Sequence, residues 1–408
     1  MKTVPFIIAI FLSATLSAQS FQAHFTDSTL RLDYVFCGNA SHSAIFFREA
    51  SVFSGWAGRK HNLGEPALRG NGQIRVKDPS SGETLYVNSF SSLFQEWQST
   101  EEAQKLDKAF ENTFLVPCPR HPVRIEVVLF DNRARQSCII AHTIDPRDIL
   151  IRSVAPTEST VLKDSGKDAI DIVIVSEGYT AREKSKFYDD ALRAVQALFS
   201  HEPFTSVRDK FSVRAVFSTS EHSGVSVPGK GEWKNTTLHS NFDTFYSSRY
   251  LTTSYIWGLY DIIGTTPAEH VIVIANTPQY GGGGIFNNIT LVTSDHPTFA
   301  RVLVHEFGHA FAGLADEYAY DEMAETVYPA DTEPWEPNIT TPADFASNWA
   351  DMLKDGTVGL YEGGGNQTKG VWRPVPDCRM RTNTYPDFCP VCTRAILRTV
   401  EYSVTPTY

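Results

Sequence analysis

The sequence predicts a two-domain protein of the mixed α+β / α/β class, and three observations support that prediction. At 408 residues, the chain is longer than one ordinary domain requires. From residue 21 to 151, short apolar or alternating runs are separated by turn residues, which is typical of strands. After a polar, turn-rich segment at 153–167, strand-like runs alternate with helical spacing. We therefore predict an all-β sandwich at residues 19–155 and a second, mixed domain at residues 156–408.

Composition and charge exclude several functional classes. Hydrophobic residues make up 42% of the chain and charged residues 20%, which is typical of a globular protein. The formal net charge is -11 and the sequence has no basic stripe, so a nucleic-acid partner is not expected. No stretch beyond the N-terminus reaches the roughly 18 apolar residues of a membrane-spanning helix, so membrane insertion is not expected either. The oligomeric state is not defined by these features.

The N-terminus has the features of a secretory signal peptide at residues 1–18. Lys2 supplies a positive charge, residues 5–16 are almost entirely apolar, and Ser17-Ala18-Gln19 provides small residues for a cleavage site. We therefore expect a secreted protein, periplasmic or extracellular, whose mature chain begins near Gln19. The alternative is an uncleaved membrane anchor, which is disfavoured because the apolar run is shorter than a bilayer requires.

The predicted β domain contains several strand-like runs and one helical run. Residues 30–36, 84–90 and 123–130 carry branched and aromatic side chains between turns, as strands do. Only residues 101–112 have helical spacing, and we predict a helix there. No catalytic constellation is visible in this half, which favours a supporting or recognition role.

The predicted second domain alternates strands and helices. Residues 169–175, 211–217, 270–275 and 285–293 are short runs rich in branched residues, as expected for buried strands. A helix follows from Phe299, with apolar residues nearly all round it, and we predict that this helix is buried.

That helix contains His305-Glu306-Phe307-Gly308-His309, the motif that carries the chemistry. Histidines four residues apart project from one face of a helix, so both imidazoles can bind one cation. The spacing is typical of zinc hydrolases, in which the intervening Glu is the general base. The alternative is a core helix in which these groups only form hydrogen bonds, but burying three ionisable groups is costly unless a cation compensates.

A third protein ligand is expected just after the helix. Gly313 can adopt a positive φ, so the chain can turn back toward the metal, as in the metzincin pattern HExxHxxGxxH. Gly313 lies one residue later than in that pattern, and Asp316 stands in place of the third His. Because no later His is present in the sequence, we predict Asp316 as the third ligand, with Glu317 as the alternative. A more distant carboxylate, Glu325 or Glu333, would instead give a thermolysin-like ligand set.

Met380 and Tyr385 are candidates for supporting roles near the metal. In metzincins, a Met in a tight turn forms an apolar floor beneath the metal, and Met380 would fill that place. The alternative for a lone Met is an ordinary position in the core. Tyr385 is a candidate oxyanion donor, with an exposed structural Tyr as the alternative.

The run Ile285–Thr293 lies just before the helix, where zincins place the edge strand that binds extended substrate. We predict that Ile285, Asn287 and Ile289 present this edge, to which a peptide backbone can pair by β-augmentation. An ordinary sheet strand is the alternative.

The six cysteines divide evenly between the two halves of the chain: Cys37, Cys118 and Cys138, then Cys378, Cys389 and Cys392. The Cys389-x-x-Cys392 spacing suits a zinc site. With only Cys378 nearby and no later His, however, a four-ligand site lacks one ligand. Exported proteins form disulfides, so we predict a disulfide within the C-terminal trio in preference to a metal site.

Three segments together resemble the IgA peptidase family of zinc metallopeptidases. They are His305 to Tyr318 (HEFGHAFAGLADEY), Ser176-Glu177-Gly178-Tyr179-Thr180, and the tail with its Cys-x-Met and Phe-Cys-x-x-Cys sequences. The β-rich half is similar to the accessory domain that precedes the peptidase unit in that family. The resemblance implies a metzincin-like zincin catalytic domain with bound Zn2+ and endopeptidase activity. It does not imply immunoglobulin A as the substrate, because specificity belongs to sites rather than to folds.

We therefore expect a secreted zinc endopeptidase that hydrolyses a polypeptide or glycoprotein substrate, with Glu306 as general base. Two alternatives stay open. The first is a secreted glycan- or glycoprotein-binding protein with a degenerate zincin scaffold, and the second is a zinc hydrolase that acts on cell-wall peptide or as an aminopeptidase. The intact Glu306 counts against a degenerate scaffold, which has no need of a base between two ligands.

Overall fold

A computed structural model of the chain describes residues 21–319 and 327–406. Within these ranges the protein is a mixed α/β structure with several sheets, and its N-terminal region is rich in strands, as predicted. The predicted signal peptide at residues 1–18 lies outside the described residues, as does Glu325. None of the helices in the described ranges combines the length and the apolar character needed to cross a membrane.

The N-terminal region consists of two four-stranded sheets around one core. Its elements are β1 (Phe25–Gly38), β2 (Ser43–Ser54), β3 (Gly72–Lys77), β4 (Thr84–Phe90), α1 (Leu93–Trp97), β5 (Lys108–Pro119), β6 (Val123–Phe130), β7 (Gln136–Ile144) and β8 (Arg152–Ser153). The strand orders are β5-β1-β2-β8 and β4-β3-β6-β7. Leu32 and Phe36 from the first sheet and Val76 and Ile125 from the second are all buried in the same cluster, because alternate residues of each strand face inward.

The predicted helix at residues 101–112 is wrong. The structure has a short 3-10 turn at Glu102–Gln104, and β5 then pairs with β1 from Lys108 opposite Gly38 through Leu115 opposite Arg31. This pairing brings Phe114 against Phe36, with ring centroids 6.2 Å apart. Long-range strand pairing and aromatic burial therefore override the local helical spacing.

The C-terminal region is built on a six-stranded sheet in the order β13-β14-β12-β10-β11-β9. Its elements are β9 (Thr160–Lys163), β10 (Ile170–Glu177), α2 (Lys184–Phe199), β11 (Phe211–Val216), α3 (Ile256–Ile263), β12 (His270–Ala275), β13 (Gly282–Ile285), β14 (Ile289–Thr293), α4 (Phe299–Ala312), β15 (Tyr361–Gly364), β16 (Gln367–Arg373) and α5 (Pro390–Val404). The four strands β10, β11, β12 and β14 run parallel and carry long apolar runs, as expected for a sheet covered on both faces.

The chain passes from the first set of sheets to the second between β8 and β9. Arg152 and Ser153 of β8 pair with β2 of the N-terminal region. Residues 160–163 of β9 instead pair with β11 of the six-stranded sheet. The predicted domain boundary, between residues 155 and 156, falls in this connecting segment.

The long apolar helix α4 packs beneath the six-stranded sheet, and it is buried as predicted. Phe307 and Phe311 are stacked on one side of the helix, with centroids 5.3 Å apart and planes 13° apart. His270 of β12 contacts the ring of Phe311 edge-on at 4.9 Å. This face fixes the helix against the core, so other positions of the helix are free to carry the polar side chains of the motif.

The predicted edge strand at residues 285–293 is a hairpin. Ile285 ends β13, Asn287 has a left-handed φ of 48° in the turn, and Ile289 begins β14, an interior strand of the sheet. The edge of the sheet is β13 instead, and the backbone of Gly282 is already paired with residues 249–251. Asn287 explains why a turn interrupts the predicted strand, because Asn tolerates the positive φ that this turn requires.

Candidate active site

Helix α4 ends at Gly313, where the sequence predicts that the chain turns back. Gly313 has a φ of 62°, and its N–H donates to the His309 carbonyl at 3.0 Å. A Cβ at this position would lie 2.6 Å from the ring of Trp335 and 2.9 Å from Leu68. Only Gly combines this conformation with this space, and the chain can then turn back so that Asp316 faces the helix.

The turn brings together the three predicted metal ligands. His305 Nε2 lies 3.1 Å from His309 Nε2 and 3.1 Å from Asp316 Oδ1. The distance from His309 Nε2 to the same carboxylate oxygen is 3.2 Å. Zinc bonds of about 2.0–2.1 Å in a tetrahedral arrangement place ligand atoms about 3.4 Å apart. The triangle therefore has the size that one zinc ion requires.

The other ring nitrogens of the two histidines are held by carbonyl groups. His305 Nδ1 lies 2.9 Å from the Arg379 carbonyl oxygen, and His309 Nδ1 lies 2.5 Å from that of Leu314. Each Nδ1 donates its proton to a carbonyl, so in the neutral rings each Nε2 carries a lone pair. Two lone pairs and a carboxylate oxygen then converge on one point, an arrangement that a cation stabilises.

Charges within the triangle reinforce this conclusion. Burial alone would lower the pKa of His309, but the Asp316 carboxylate outweighs that effect and raises the pKa to about 9. Burial opposes ionisation of Asp316, yet the two histidines hold its pKa far below its usual range. Burial raises the pKa of Glu306, and the neighbouring histidines partly offset the increase. A divalent cation competes for the position that a shared proton occupies between these groups.

Glu306 lies beside the triangle and is partly accessible to solvent. Its carboxylate and the two imidazoles present ligand atoms within 4.8 Å of one another, and the side chain is half-buried. Strand β13 passes directly over it, because a Cβ at Gly282 would lie 3.1 Å from Glu306 Cγ and one at Gly284 would lie 2.2 Å from its carbonyl oxygen. The glycine run thus permits the close approach of strand and helix.

The two supporting residues predicted from the sequence lie in different surroundings. Met380 is fully buried against the helix, and its Sδ lies 3.1 Å from the position of a Cβ at Gly308. Gly308 lies between the two histidines in the sequence, so Met380 is close to the triangle. Tyr385 is 39% exposed, and its hydroxyl forms no hydrogen bond within residues 21–319 and 327–406. Its role as an oxyanion donor stays a prediction.

The alternative ligands do not join the triangle. Glu317 follows Asp316 but its side chain contacts Cys392 and Asn338 instead. Glu333 accepts hydrogen bonds from the Asp344 N–H and the Asn348 side chain, and it thereby orders the loop at residues 341–348. Among the predicted carboxylate ligands that the structure describes, Asp316 alone reaches both histidines.

The predicted disulfide within the C-terminal trio is absent. All six cysteines lie in the described residues and all are free. Cys378 Sγ and Cys392 Sγ are 3.8 Å apart, whereas a disulfide requires about 2.0 Å. The prediction was wrong because it counted only nearby Cys and His as partners of the trio, and Glu317 is the buried neighbour that it missed.

Asn338 is a site residue that sequence reasoning missed. Its amide accepts from the Ala315 N–H at 2.7 Å and donates to the Ala315 carbonyl at 2.9 Å and to Glu317 Oε1 at 3.1 Å. It therefore holds the segment that carries Asp316. Asn338 lies in an Asn-x-Thr sequon, but its side chain is fully buried, and a glycan could not attach to it in the folded protein. Local sequence gives no signal for this role.

Glu96 and Tyr250 also border the site. Glu96, on α1 of the N-terminal region, accepts a hydrogen bond of 2.6 Å from the Tyr250 hydroxyl. Although solvent reaches the side chain, loss of hydration in the cleft raises the pKa of Glu96 to about 7, and the charges of Asp316 and Glu306 add to the increase. The β-rich region therefore contributes a titratable group near the triangle, which no sequence motif indicated.

A helix that presents His305, Glu306 and His309, with a carboxylate returned to them by a glycine turn, is typical of metal-dependent hydrolases. Comparison with family models agrees with this class. The model described as IgA Peptidase M64 matches residues 160–358 and 354–400, and the model described as Peptidase M64 N-terminus matches residues 20–140. The chain belongs to the IgA peptidase M64 family, as the sequence resemblance predicted, and it is a peptidase by family. Comparison with curated proteins gives no match.

Proposed function

We propose that this protein is a secreted, metzincin-like zinc endopeptidase. The observation that carries the proposal is the convergence of His305 Nε2, His309 Nε2 and Asp316 Oδ1 within 3.2 Å of one another, next to Glu306. Family membership supports metal-dependent hydrolysis of peptide bonds. The signal-peptide pattern at residues 1–18 supports export.

In this proposal, His305, His309 and Asp316 hold the zinc ion. When bound, zinc supplies Lewis acidity, which acidifies water and polarises a carbonyl oxygen. The carbonyls of Arg379 and Leu314 keep the imidazoles oriented. Three protein ligands leave a position free for the reaction, as catalytic zinc sites require. The buried Met380 packs against the helix at Gly308, which lies between the two histidines in the sequence.

Glu306 performs the proton transfer. It takes a proton from the attacking water and returns it to the leaving amine when the peptide bond breaks. Burial raises the pKa of Glu306, which brings it closer to neutral pH, where a group that both accepts and donates a proton is most effective. The half-buried position keeps the carboxylate accessible to substrate from the cleft.

The proposed substrate is an unfolded or extended segment of a polypeptide or glycoprotein. The helix and the glycine-rich β13 form one wall of the cleft, and Glu96 of the β-rich region borders the site. Residues 249–251 occupy part of the outer edge of β13, so strand pairing by substrate is restricted to the rest of that edge. The β-rich region therefore acts as an accessory domain that shapes the entrance.

The experiment compares wild type with Glu306→Gln on a mixture of denatured proteins. We expect cleavage to fall by about 10²–10⁴-fold while zinc content is unchanged, because the substitution removes the base and leaves the ligands. Glu221→Gln, on an exposed side chain outside the cleft, is the matched control and retains full activity.

Equal cleavage by wild type and Glu306→Gln would contradict the proposed mechanism. Zinc without cleavage in any variant would favour a glycoprotein-binding protein. Peptides labelled at either end separate an endopeptidase, which releases internal fragments, from an aminopeptidase, which removes residues stepwise from the N-terminus.

A further inference from the structure

A second cluster of metal-ligating side chains lies behind the catalytic triangle. It consists of Glu317, which follows α4, Cys378 in the loop before α5, and Cys389 and Cys392 at the start of α5. Their ligand atoms all lie within 4.8 Å of one another, and each residue is at most 4% exposed. We call these four residues the thiolate cluster.

The distances in the thiolate cluster match a tetrahedral metal site. The Cys378 and Cys392 sulfurs are 3.8 Å apart, and Glu317 Oε1 lies 3.2 Å from Cys392 Sγ and 3.9 Å from Cys389 Sγ. Zinc–sulfur bonds of about 2.3 Å in a tetrahedron give sulfur–sulfur separations of about 3.8 Å. The atoms are too far apart for a disulfide and close enough to share one ion.

Hydrogen bonding in the cluster leaves one oxygen of a buried carboxyl group without a partner. Glu317 is fully buried, and its Oε2 has no hydrogen-bond partner in the described ranges. The other oxygen, Oε1, accepts from Asn338. A buried carboxylate is costly unless it is paired or coordinates a metal.

Backbone donors point at the sulfurs. The Cys389 N–H donates to Cys378 Sγ at 3.2 Å, and the Cys392 N–H donates to Cys389 Sγ at 3.4 Å. Cys389 is the N-cap of α5, where the helix dipole favours negative charge. Such donors stabilise thiolates, which are the forms that bind metal.

We infer that Glu317, Cys378, Cys389 and Cys392 form a second, structural zinc site. Three soft thiolates and one carboxylate in a tetrahedral arrangement select zinc among the common divalent ions. All four positions are protein ligands and the site is closed to solvent, so it has no position for substrate and performs no catalysis.

The second site positions the catalytic one. Glu317 follows Asp316 directly, and its N–H donates to the Met380 carbonyl at 2.7 Å. The neighbouring Arg379 carbonyl accepts from His305, and Cys378 precedes it. An ion held by the thiolate cluster thus ties together the two segments that orient Asp316 and His305.

Zinc content of the purified full-length protein tests this inference. We expect two zinc ions per chain in wild type and in Glu306→Gln, and one in either His309→Ala or Cys392→Ala. Cys118→Ala, a buried cysteine of the β-rich region, is the matched control and keeps two. Full zinc content in His309→Ala would overturn the proposed catalytic site only, whereas full zinc content in Cys392→Ala would overturn the thiolate site only.

Two measurements keep the test valid if Cys392→Ala does not fold. Cobalt substitution of His309→Ala is expected to give a near-ultraviolet thiolate-to-cobalt charge-transfer band, which only a cysteine-ligated ion produces. Thiol titration of denatured, chelated wild type is expected to give all six cysteines as free thiols. A missing charge-transfer band, or a count of four thiols from a disulfide in the trio, would overturn the inference.

Discussion

The protein has two clusters of candidate metal ligands, and these clusters differ in their access to solvent. Asp316 belongs to the first cluster, and the next residue, Glu317, belongs to the second. The His305–His309–Asp316 triangle is partly open, since the side chains are 8%, 15% and 18% exposed. The thiolate cluster is closed, because its members are at most 4% exposed. Catalytic zinc sites keep an open position and structural sites do not. The difference in accessibility therefore supports the proposed catalytic role of the first cluster and the proposed structural role of the second.

The comparison also shows how one short segment serves both clusters. In extended backbone, successive side chains point to opposite sides, so Asp316 faces the helix histidines while Glu317 faces the cysteines. Asn338 holds this segment in place through Ala315 and Glu317. We therefore expect a displacement at either cluster to be transmitted to the other through the backbone between Asp316 and Glu317.

The largest effect is expected when the open cluster alone is broken. His309→Ala removes one ligand, so we expect loss of catalytic zinc and a fall in peptide cleavage of more than about 10³-fold, because the metal and the base act as a unit. The zinc of the thiolate cluster stays bound. Metal analysis and cleavage of a denatured protein measure the two results together.

His121→Ala, at an exposed histidine of the β-rich region, is the control for His309→Ala and leaves both properties unchanged. Retention of wild-type cleavage by His309→Ala would exclude the triangle as the active site.

The second effect concerns the link between the clusters. Asn338→Ala removes three buried hydrogen bonds, so we expect the free energy of unfolding to fall by roughly 2–4 kcal/mol. The same change loosens Asp316, and we expect kcat to fall about tenfold. Urea denaturation and steady-state kinetics measure these changes.

Asn132→Ala removes one exposed hydrogen bond, to the Val327 carbonyl, and serves as the control with almost no effect. If Asn338→Ala lost stability without any change in kcat, the segment would not couple the two clusters.

The third effect contrasts histidines in different surroundings. Burial against Phe307 and Phe311 lowers the pKa of His270 to about 4, whereas Asp316 raises that of His309. Between pH 4 and about 6.5, the unfolded chain binds the His270 proton and the folded chain does not, so this group makes stability rise with pH in that window and fall on acidification.

His270→Phe removes this dependence. The difference in unfolding free energy between pH 6.5 and pH 4 should shrink by up to about 3 kcal/mol relative to wild type. Denaturant titrations at several pH values measure the slope, which is insensitive to any constant packing cost of the larger ring. An unchanged slope would show that His270 is protonated in the folded protein.

The smallest effect is expected at Met380. Met380→Leu conserves volume in a buried position against Gly308, so stability should change by less than about 1.5 kcal/mol, and both zinc ions should stay bound. Cleavage should stay within a few-fold of wild type, because the side chain acts by packing. A large loss of cleavage with both zinc ions retained would instead assign a chemical role to the sulfur.

Local spacing predicted much of the fold and part of the site. Branched runs predicted the parallel strands β10, β11 and β12, and the four-residue spacing of His305 and His309 predicted two imidazoles on one helix face. Gly313 indicated where the chain turns, which placed Asp316. These predictions succeed because each depends on geometry within a few residues.

The remainder depends on contacts between distant segments. The helix predicted at 101–112 is a turn followed by a strand because β1 pairs with that segment. The hairpin at Asn287 carried a local signal, an Asn pair, that favours a turn. Nothing near Cys389 and Cys392 in the sequence pointed to Glu317 as their fourth partner, since only folding brings it to the start of α5.

The most direct test of the account is diffraction from crystals of the wild-type protein at the zinc absorption edge. The account predicts two anomalous peaks, one between His305, His309 and Asp316 and the other between Glu317 and the three cysteines. A single peak at the triangle with a disulfide in the cysteine trio would contradict the structural site. Absence of a peak at the triangle would contradict the catalytic assignment itself.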